Sequence, residues 1–397
     1  MNKYFADLHI HIGADSRGNP VKVTASPNLD LARICQEARD EKGLDIVGIV
    51  DCASPGVLAD LAALIRRGAL VELDKGGFLY QGDTVIFTGS EVELQGPQGP
   101  GHFLAYFPFL DQLKEYSRRM DEFITNIQLS SQKAFIEPRE WFALVAAIGG
   151  RIFPAHAFTP HRSLYGSMAS SLAELAPAGL VAGLELGLSA DTWLAHLLPE
   201  TREWAYLSNS DAHSAEKIAR EYNLLALEEA NFSEFELALS RQKGRGVIAN
   251  YGLDPRLGKY HRTFCLVCEV ITESTPPVTA CQRCSSEKVV RGVLDRVIQL
   301  AGLDSPAEYN RLREEGLPCR PPYYYQIPLA MVPGIGKKTI GKLVEAFGSE
   351  MNVLHLATLD DLKEVINHGL AEKIVRSRTG GLEISAGGGG KYGRVVK

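Results

Sequence analysis

Two apolar segments in the first half of this chain lead directly into closely spaced histidine and carboxylate side chains. The run 3–6 precedes the motif D-L-H-I-H at 7–11, and the run 204–207 precedes S-D-A-H at 210–213. Alternate residues of a strand point to the same side, so His9 and His11 project together, as do Asp211 and His213. Imidazole and carboxylate are ligands that suit zinc, iron and manganese. A lone histidine is more often a hydrogen-bonded core residue, but two such pairs at strand ends predict a metal site.

The first 255 residues alternate strand-like apolar runs with helix-like segments, which predicts an α/β fold on a parallel sheet, open or closed into a barrel. Several apolar runs end in a candidate ligand, namely His9, His11, Asp51, Glu91, His156, Asp211 and His213. The active site of a (β/α) barrel lies at the C-terminal ends of its strands, whereas an open sheet gathers ligands at one switch point. This distribution favours the barrel. His102 is the exception, because it lies near the start of its run.

Length and composition bound the class of protein. The chain has 397 residues, which exceeds one ordinary core and predicts two or three domains. Its content of 45% hydrophobic and 23% charged residues is that of a globular protein. The sequence has no basic-then-apolar leader and no apolar run of about 18 residues, so we expect a cytoplasmic protein with no membrane span.

Charge is distributed unevenly along the chain. Residues 1–255 carry 22 Lys and Arg against 33 Asp and Glu, whereas residues 256–397 carry 20 against 15. An acid-rich metal domain followed by a basic segment suggests a polyanionic partner such as nucleic acid. A balance of +5 over the second part also lies within ordinary variation, so this signal is weak by itself.

Four cysteines in the second half form two pairs. Cys265 and Cys268 are followed after twelve residues by Cys281 and Cys284, which is the spacing of a four-cysteine zinc ribbon. Without a secretion signal, disulfides are not expected. The metal of such a module is structural by default, because it supplies folding free energy that a small core cannot. DNA contacts from the basic residues nearby are a further hypothesis.

The segment 329–339, L-A-M-V-P-G-I-G-K-K-T, is similar to a helix-hairpin-helix motif. Glycines in such a turn let backbone amides approach a phosphate closely, and these contacts read the DNA backbone instead of its sequence. The candidate DNA-binding residues are Gly334, Gly336, Lys337, Lys338 and Thr339. Residues 358–378 look like a weaker second copy. A helical hairpin with no ligand is the alternative.

Three adjacent tyrosines, Tyr323, Tyr324 and Tyr325, lie in the proline-rich connector before this motif. They can stack on bases, but packing between domains is the more frequent fate of such residues.

The order of ligand residues in the first part resembles the polymerase and histidinol phosphatase (PHP) superfamily, whose members are distorted (β/α)7 barrels with two or three metal ions. The match covers residues 1 to about 250. It implies one ion on His9, His11, Glu91 and Asp211, a second that shares Glu91 and takes His102 and His156, and a third that uses His213. The family's Asp-His after the second strand reads Asp51-Cys52 here, so an imidazole is missing, and Asp51, Asp15 and Cys52 are the candidates to replace it.

A cluster of this kind has a definite chemical use. Two neighbouring divalent ions hold a hydroxide nucleophile and neutralise charge on a phosphoryl group during in-line displacement. Asp211, Glu91 and His213 are therefore the catalytic candidates. The residues alone predict a metal-dependent phosphoesterase that acts on a nucleic acid.

The complete order of a PHP-type barrel, a zinc ribbon and an α-helical C-terminal region resembles the endonuclease Q family of DNA repair enzymes. We expect a catalytic barrel over 1–255, a four-cysteine zinc module over 256–290 and a helical DNA-binding region over 291–397. The resemblance implies cleavage of the phosphodiester 5′ to hypoxanthine, uracil, xanthine or an abasic site, with the lesion turned out into a pocket. No motif marks the residues of that pocket.

The same resemblance sets the expected cofactors and partners. A structural Zn²⁺ would lie in the ribbon, and two or three divalent ions of Zn²⁺, Mn²⁺, Mg²⁺ or Fe²⁺ would lie in the barrel. The partner would be double- or single-stranded DNA that contains the lesion, and a replication clamp is a further candidate.

Three other functions compete with this interpretation. A phosphomonoesterase of the histidinol phosphatase type would have no use for the C-terminal third. A DNA-binding protein whose barrel has lost catalysis is favoured by Cys52 and would bind DNA without cleaving it. A polymerase-associated exonuclease would degrade ends instead of cutting internally.

Overall fold

The structure is a computed structural model that describes residues 1–177, 179–303, 305–316 and 321–396. The N-terminal part alternates strands and helices as the sequence predicts. Its strands are β1 (Asn2–Ile10), β2 (Ile46–Ile49), β3 (Leu70–Glu72), β4 (Phe78–Tyr80), β5 (Thr84–Gln95), β6 (Pro100–Phe107), β7 (Arg151–Pro154), β8 (Gly183–Glu185), β9 (Ala205–Leu207), β10 (Tyr222–Leu227) and β11 (Gly246–Gly252).

Successive strands are connected by hydrogen bonds, and the last connection returns to β1. β2 lies between β1 and β5 and is parallel to both, and β6 joins β5 to β7 with antiparallel pairing on each side. A parallel bridge between Ile152 and Val181 connects β7 to the chain that enters β8, which is parallel to β9. A last parallel bridge between Ile10 and Ala212 joins the chain after β9 back to β1. The α/β class is therefore confirmed.

The direction of β6 accounts for the exceptional position of His102. Because β6 is antiparallel to β5, its first residues lie beside the last residues of β5, and His102 is directly opposite Glu93. The start of one strand and the end of its neighbour thus lie at the same edge of the sheet. His102 reaches the ligand edge for this reason.

Six helices cover the outside of these strands and bury their apolar faces. They are α1 (Leu31–Gln36), α2 (Pro55–Arg66), α3 (Leu110–Met120), α4 (Pro138–Ile148), α5 (Thr192–His196) and α6 (Phe232–Leu239). Helix α1 continues as a π-helical segment to Lys42, and Gly43 ends it with a φ of 76°, a left-handed conformation that glycine adopts without a Cβ clash.

The cysteine-rich segment forms a small sheet followed by two helices. The strands are β12 (Phe264–Cys265), β13 (Val270–Ile271) and β14 (Val289–Val290), with β12 in the centre and antiparallel to both neighbours. Helices α7 (Val293–Leu300) and α8 (Pro306–Glu315) follow.

The three tyrosines form β15 (Tyr323–Tyr325), which pairs in parallel with β11 at the edge of the large sheet. This pairing agrees with the packing role weighed above.

Four helices come next, namely α9 (Lys337–Phe347), α10 (Glu350–His355), α11 (Leu359–Val365) and α12 (His368–Ser377). The described chain ends with the hairpin of β16 (Ile384–Ser385) and β17 (Arg394–Val395). The predicted first helix of the hairpin motif is only a short 3-10 turn over Leu329–Met331. In the described part of the chain, no helix is long and apolar enough to span a membrane.

Candidate metal centre

The motif at 7–11 places two histidines side by side at the end of β1. His9 Nε2 and His11 Nε2 are 3.1 Å apart, and both residues are fully buried. His9 Nδ1 lies 2.9 Å from Glu185 Oε2, and His11 Nδ1 lies 3.0 Å from Asp51 Oδ1. A carboxylate only accepts hydrogen bonds, so each Nδ1 donates a proton to its carboxylate and each Nε2 is turned towards the other ligands. Both Nε2 atoms are thereby prepared to bind a cation.

Asp211 completes the first group of ligands. Its Oδ1 lies 3.6 Å from His9 Nε2 and 3.3 Å from His11 Nε2. Ligand atoms of these three residues all lie within 4.8 Å of one another. Asp211 has a φ of 47°, a left-handed conformation that is uncommon for residues other than glycine and that occurs at functional sites. The two predicted motifs, which are two hundred residues apart in sequence, therefore meet at one point.

Glu91, His102 and His156 form a second group within the same 4.8 Å limit. Glu91 Oε1 lies 2.9 Å from His102 Nδ1 and 3.5 Å from His156 Nε2. The other oxygen, Oε2, lies 3.7 Å from His11 Nε2. The carboxylate of Glu91 thus connects the two groups, as the predicted sharing of this residue requires.

The charges around these histidines favour a cation. Burial alone would lower the pKa of His9, but Glu185, Asp211 and Glu91 outweigh burial and raise this pKa to about 10. Burial likewise opposes ionisation of Asp211, yet its hydrogen bond to His11 and the charge of His9 hold the pKa of Asp211 well below its usual value. Ionised carboxylates beside imidazoles form a donor set that fits divalent metal ions.

The candidate ligands for a third ion do not converge. Asp51 faces His11 Nδ1 and accepts a hydrogen bond of 2.6 Å from the amide of Ile12. Asp15 accepts hydrogen bonds from the amides of Arg17 and Asn19, each at 2.9 Å. The Cys52 thiol donates to the carbonyl of Ile49, and burial raises its pKa.

His213 contacts the first group without joining it. Its Nδ1 lies 3.5 Å from Asp211 Oδ1, and its ring is 4.5 Å from that of His11. Among the residues that the structure describes, no group of three ligand atoms includes His213, Asp15, Asp51 or Cys52.

Sequence reasoning missed several charged residues at this centre, among them Glu185 and Lys22. Glu185 ends β8 within an apolar run, so the rule that identified Glu91 could have found it. Lys22 lies in the loop after β1, where no pattern marks it, and its Nζ is 2.9 Å from Glu91 Oε2. Burial alone would lower the pKa of Lys22, but Glu91 and Asp51 reverse this effect and raise it.

The four predicted zinc ligands lie together. Their sulfur atoms fall within 4.8 Å of one another, with Cys265 Sγ 3.7 Å from Cys284 Sγ and Cys268 Sγ 4.0 Å from Cys281 Sγ. Four thiols at these separations suit tetrahedral coordination of one soft ion.

The predicted DNA-binding residues surround the start of α9. Gly334 has a φ of 93°, and a Cβ there would lie 3.0 Å from Leu370 of α12. Gly336 precedes the helix as its N-cap, and a Cβ there would meet nothing within 4 Å. Lys337 and Lys338 are exposed, Lys337 pairs with Glu216 at 2.7 Å, and Thr339 is half-buried. The turn thus presents exposed backbone next to Lys337 and Lys338, with open space beside Gly336.

Known proteins resemble this chain over nearly its whole length. No family model matches the chain. Protein YqxK of Bacillus subtilis is 44% identical over an alignment of 398 positions, which covers 100% of both chains. The lesion-specific endonuclease PfuEndoQ from Pyrococcus furiosus is 31% identical and superposes with a TM-score of 0.81 over 99% of this chain and 95% of its own. An endonuclease Q in complex with a 27-mer duplex that carries an abasic lesion gives a TM-score of 0.80 at 31% identity, over 99% and 96% of the two chains.

These likenesses cover the barrel, the cysteine cluster and the C-terminal helices together, at an identity above 30%. They confirm the expected enzyme class, a metal-dependent phosphodiesterase. The chain belongs to the endonuclease Q family.

Proposed function

We propose that this protein is a DNA repair endonuclease that cuts the phosphodiester 5′ to a deaminated base or an abasic site. The observation that carries the proposal is the pair of adjacent ligand groups joined by Glu91, in a chain that matches a lesion-specific endonuclease over nearly its whole length. Cleavage would leave a 3′-hydroxyl and a 5′-phosphate.

The roles of the site residues follow from their positions. His9, His11 and Asp211 would hold one divalent ion, and His102 and His156 would hold a second, with Glu91 shared between them. When bound, such ions supply a Lewis acid and a hydroxide nucleophile. Asp211 and Glu91 would hold the ions in position at the scissile phosphodiester. His213, next to Asp211 and half-buried, would orient the attacking water or a phosphate oxygen.

A cavity of about 230 Å³ opens beside Asp211 and is the candidate pocket for the everted base. The residues that line it include His156, Glu185, Asn209, Tyr260 and Tyr392. Tyr392 belongs to the C-terminal hairpin and lies against the Lys259 ammonium, which is 4.5 Å from the ring centroid. Aromatic rings beside a metal centre suit a base that has left the helical stack.

Asn209 gives this pocket a means to select deaminated bases. Its Oδ1 accepts hydrogen bonds from the amide of Leu8 at 3.1 Å and from Asn223 Nδ2 at 2.9 Å. Because a backbone amide only donates, this contact fixes which way the Asn209 side chain points. Its Nδ2 is buried and has no partner among the described residues. Such a donor favours the carbonyl of hypoxanthine or uracil over the amino group of adenine or cytosine.

The C-terminal part would hold the DNA around the lesion. Lys337, Lys338, Thr339 and the exposed turn at Gly334 and Gly336 would contact backbone phosphates near the start of α9. Zinc bound by the four cysteines would stabilise the small sheet of β12, β13 and β14. We retain 1–255 as the catalytic unit, 256–290 as the zinc module and 291–397 as the helical DNA-binding unit.

The experiment is cleavage of end-labelled duplexes that carry a single hypoxanthine, uracil or abasic site, in the presence of Mn²⁺ or Mg²⁺. We expect one internal nick on the 5′ side of each lesion and none in undamaged DNA. The Asp211→Asn variant should lose cleavage by at least about 100-fold while it still binds the lesion duplex. Asp111→Asn is the matched control, because the side chain of Asp111 is 95% exposed on α3.

Three outcomes would contradict the proposal. Turnover of a small phosphomonoester with no nicking would favour a phosphatase, and degradation from the ends would favour an exonuclease. Full activity in the Asp211→Asn variant would remove Asp211 from the reacting centre.

A further inference from the structure

Lys22 places a positive charge inside the metal centre. Its Nζ lies 2.9 Å from Glu91 Oε2, and Ser131 hydrogen-bonds to both groups. Only 12% of the Lys22 side chain is exposed. An ammonium this deeply buried beside a carboxylate is costly to desolvate and is more often found where charge is used.

The backbone holds this lysine in place. The amide of Lys22 donates to the carbonyl of Ile12 at 2.9 Å, directly after β1, and the carbonyl of Val21 accepts from the amide of Ser130 at 2.9 Å. The loop is therefore fixed both to the strand that carries His9 and His11 and to the segment that carries Ser131. The ammonium is positioned by the same elements as the metal ligands.

A cavity of about 320 Å³ opens beside Lys22 and gives a substrate access to it. Glu91, His156, Asp211 and His213 line this cavity together with Lys22. A phosphodiester that reached Asp211 and Glu91 would therefore also reach the ammonium. Lys22 lines the same cavity as His213, the residue that the PHP pattern assigns to a third ion.

The side chains expected to bind that ion form hydrogen bonds to other groups. Asp15 is bound within its own loop, Asp51 is bound to His11, and Cys52 is bound to a carbonyl. Among the residues that the structure describes, these three side chains therefore do not converge on a third ion.

We propose that Lys22 is a catalytic residue whose ammonium replaces the third cation of this centre and binds an oxygen of the scissile phosphodiester. The inference rests on the proposed function, since it assigns a residue to the same reaction. Water adds to phosphorus and the bond from phosphorus to the 3′-oxygen breaks. One proton of the water ends on the 3′-oxygen and the other is released to solvent. Lys22 gives up no proton in this step and stabilises the charge that develops on the phosphoryl oxygens.

The first measurement is the metal content of the full-length protein after loading with Mn²⁺ and Zn²⁺ and removal of excess ions. Elemental analysis should find two ions for the barrel and one for the cysteines in the wild type, and the same number in Lys22→Met. A third barrel ion in the wild type would overturn the proposal, and so would the loss of a barrel ion in the variant.

The second measurement separates turnover from binding. For Lys22→Met, we expect kcat on a lesion duplex to fall about 100-fold, with KM changed less than fivefold, and Lys22→Arg should recover part of the loss. Lys75→Met is the control, because Lys75 forms a surface ion pair with Glu229. Wild-type kcat in Lys22→Met would overturn the proposal. If Lys22→Met does not fold by circular dichroism, Lys22→Gln takes its place.

Binding of inorganic phosphate, measured by calorimetry on the Mn²⁺-loaded protein, keeps the inference separable from the proposed function. The wild type should bind phosphate about tenfold more tightly than Lys22→Met. If no lesion duplex is cut, the proposed function fails, while equal phosphate affinity in the two proteins would refute the role of Lys22.

Discussion

Glu185 Oε2 accepts a hydrogen bond of 2.9 Å from His9 Nδ1, and both side chains are buried beneath the two ligand groups. The same carboxylate lies 3.3 Å from the amide of His156, a residue of the second group. One acidic side chain therefore orients ligands of both groups. Asp51 orients His11, since its Oδ1 lies 3.0 Å from His11 Nδ1. Each histidine of the first motif thus has its own orienting carboxylate.

The first prediction concerns this relationship. Glu185→Gln keeps the size of the side chain but removes the charge that accepts the Nδ1 proton of His9 and so turns its Nε2 towards the other ligands. We expect the affinity of the barrel for Mn²⁺ to fall about 10- to 100-fold, measured by competition with a fluorescent chelator. Glu203→Gln, at an exposed position, is the control. Unchanged affinity in Glu185→Gln would show that Glu185 has no orienting role.

The second prediction tests the amide that we assign to base selection. Asn209→Asp keeps an oxygen for Leu8 and Asn223 but replaces the unpartnered Nδ2 with an acceptor. Cleavage at hypoxanthine should fall at least about tenfold, because an acceptor repels the base carbonyl. Cleavage at an abasic site, which has no base, should be nearly unaffected. An equal loss on both substrates would point to damage of the metal centre instead.

The third prediction separates phosphate binding at the hairpin from its folding. A side chain at Gly334 would force a left-handed residue against Leu370, whereas one at Gly336 meets open space. Gly336→Leu should therefore weaken binding to any duplex by about tenfold and reduce its salt dependence, without lowering the melting temperature. Gly341→Leu, also in open space but within α9, is the control. If Gly336→Leu binds duplex as the wild type does, the turn is only structural.

The fourth prediction concerns the cysteine cluster. Replacing both Cys281 and Cys284 with serine removes two of four thiols that lie within 4.8 Å. The protein should then lose one equivalent of zinc by elemental analysis, and the melting temperature should fall, because bound metal stabilises the folded module. Cys35→Ser, at a buried site outside the cluster, controls for the loss of a thiol. Zinc that stays bound after the double substitution would exclude these cysteines as its ligands.

The fifth prediction concerns the contact between the C-terminal helices and the barrel. His355 of α10 stacks on Phe5 of β1 at 4.5 Å and its Nε2 lies 2.7 Å from the hydroxyl of Tyr222. Burial, together with the charge of Arg378, lowers the pKa of His355 to about 4, from an ordinary value of 6.5. Stability from the neutral ring is complete above pH 6.5 and is lost as the pH falls from 6.5 towards 4, because only the unfolded chain takes up a proton in that interval.

His355→Gln should therefore show a weaker decline in the free energy of unfolding between pH 6.5 and pH 4.5 than the wild type. Urea unfolding at several pH values measures this difference. Parallel profiles for the two proteins would mean that His355 does not titrate differently in the folded state.

Much of the centre could be predicted from local sequence. His9, His11, Glu91, His156 and Asp211 each follow an apolar run, and chain direction carries such residues to one edge of the sheet. The four cysteines were equally clear, since their spacing specifies a zinc ribbon. These predictions needed only the two-residue period of a strand and the preferences of metal ions. The α/β class followed from the alternation of the same runs.

Tertiary structure decided what spacing does not encode. The antiparallel direction of β6 brought His102 to the ligand edge, and the closing bridge between Ile10 and Ala212 joined the two motifs. Lys22 comes from a loop with no periodic pattern, and its neighbours Glu91 and Ser131 are distant in sequence. Periodicity reports which way a side chain points within its own element, whereas the partner that it meets depends on how separate elements pack. The sequence by itself therefore determined the ligand types and the class of fold, and packing alone decided which charges share the centre.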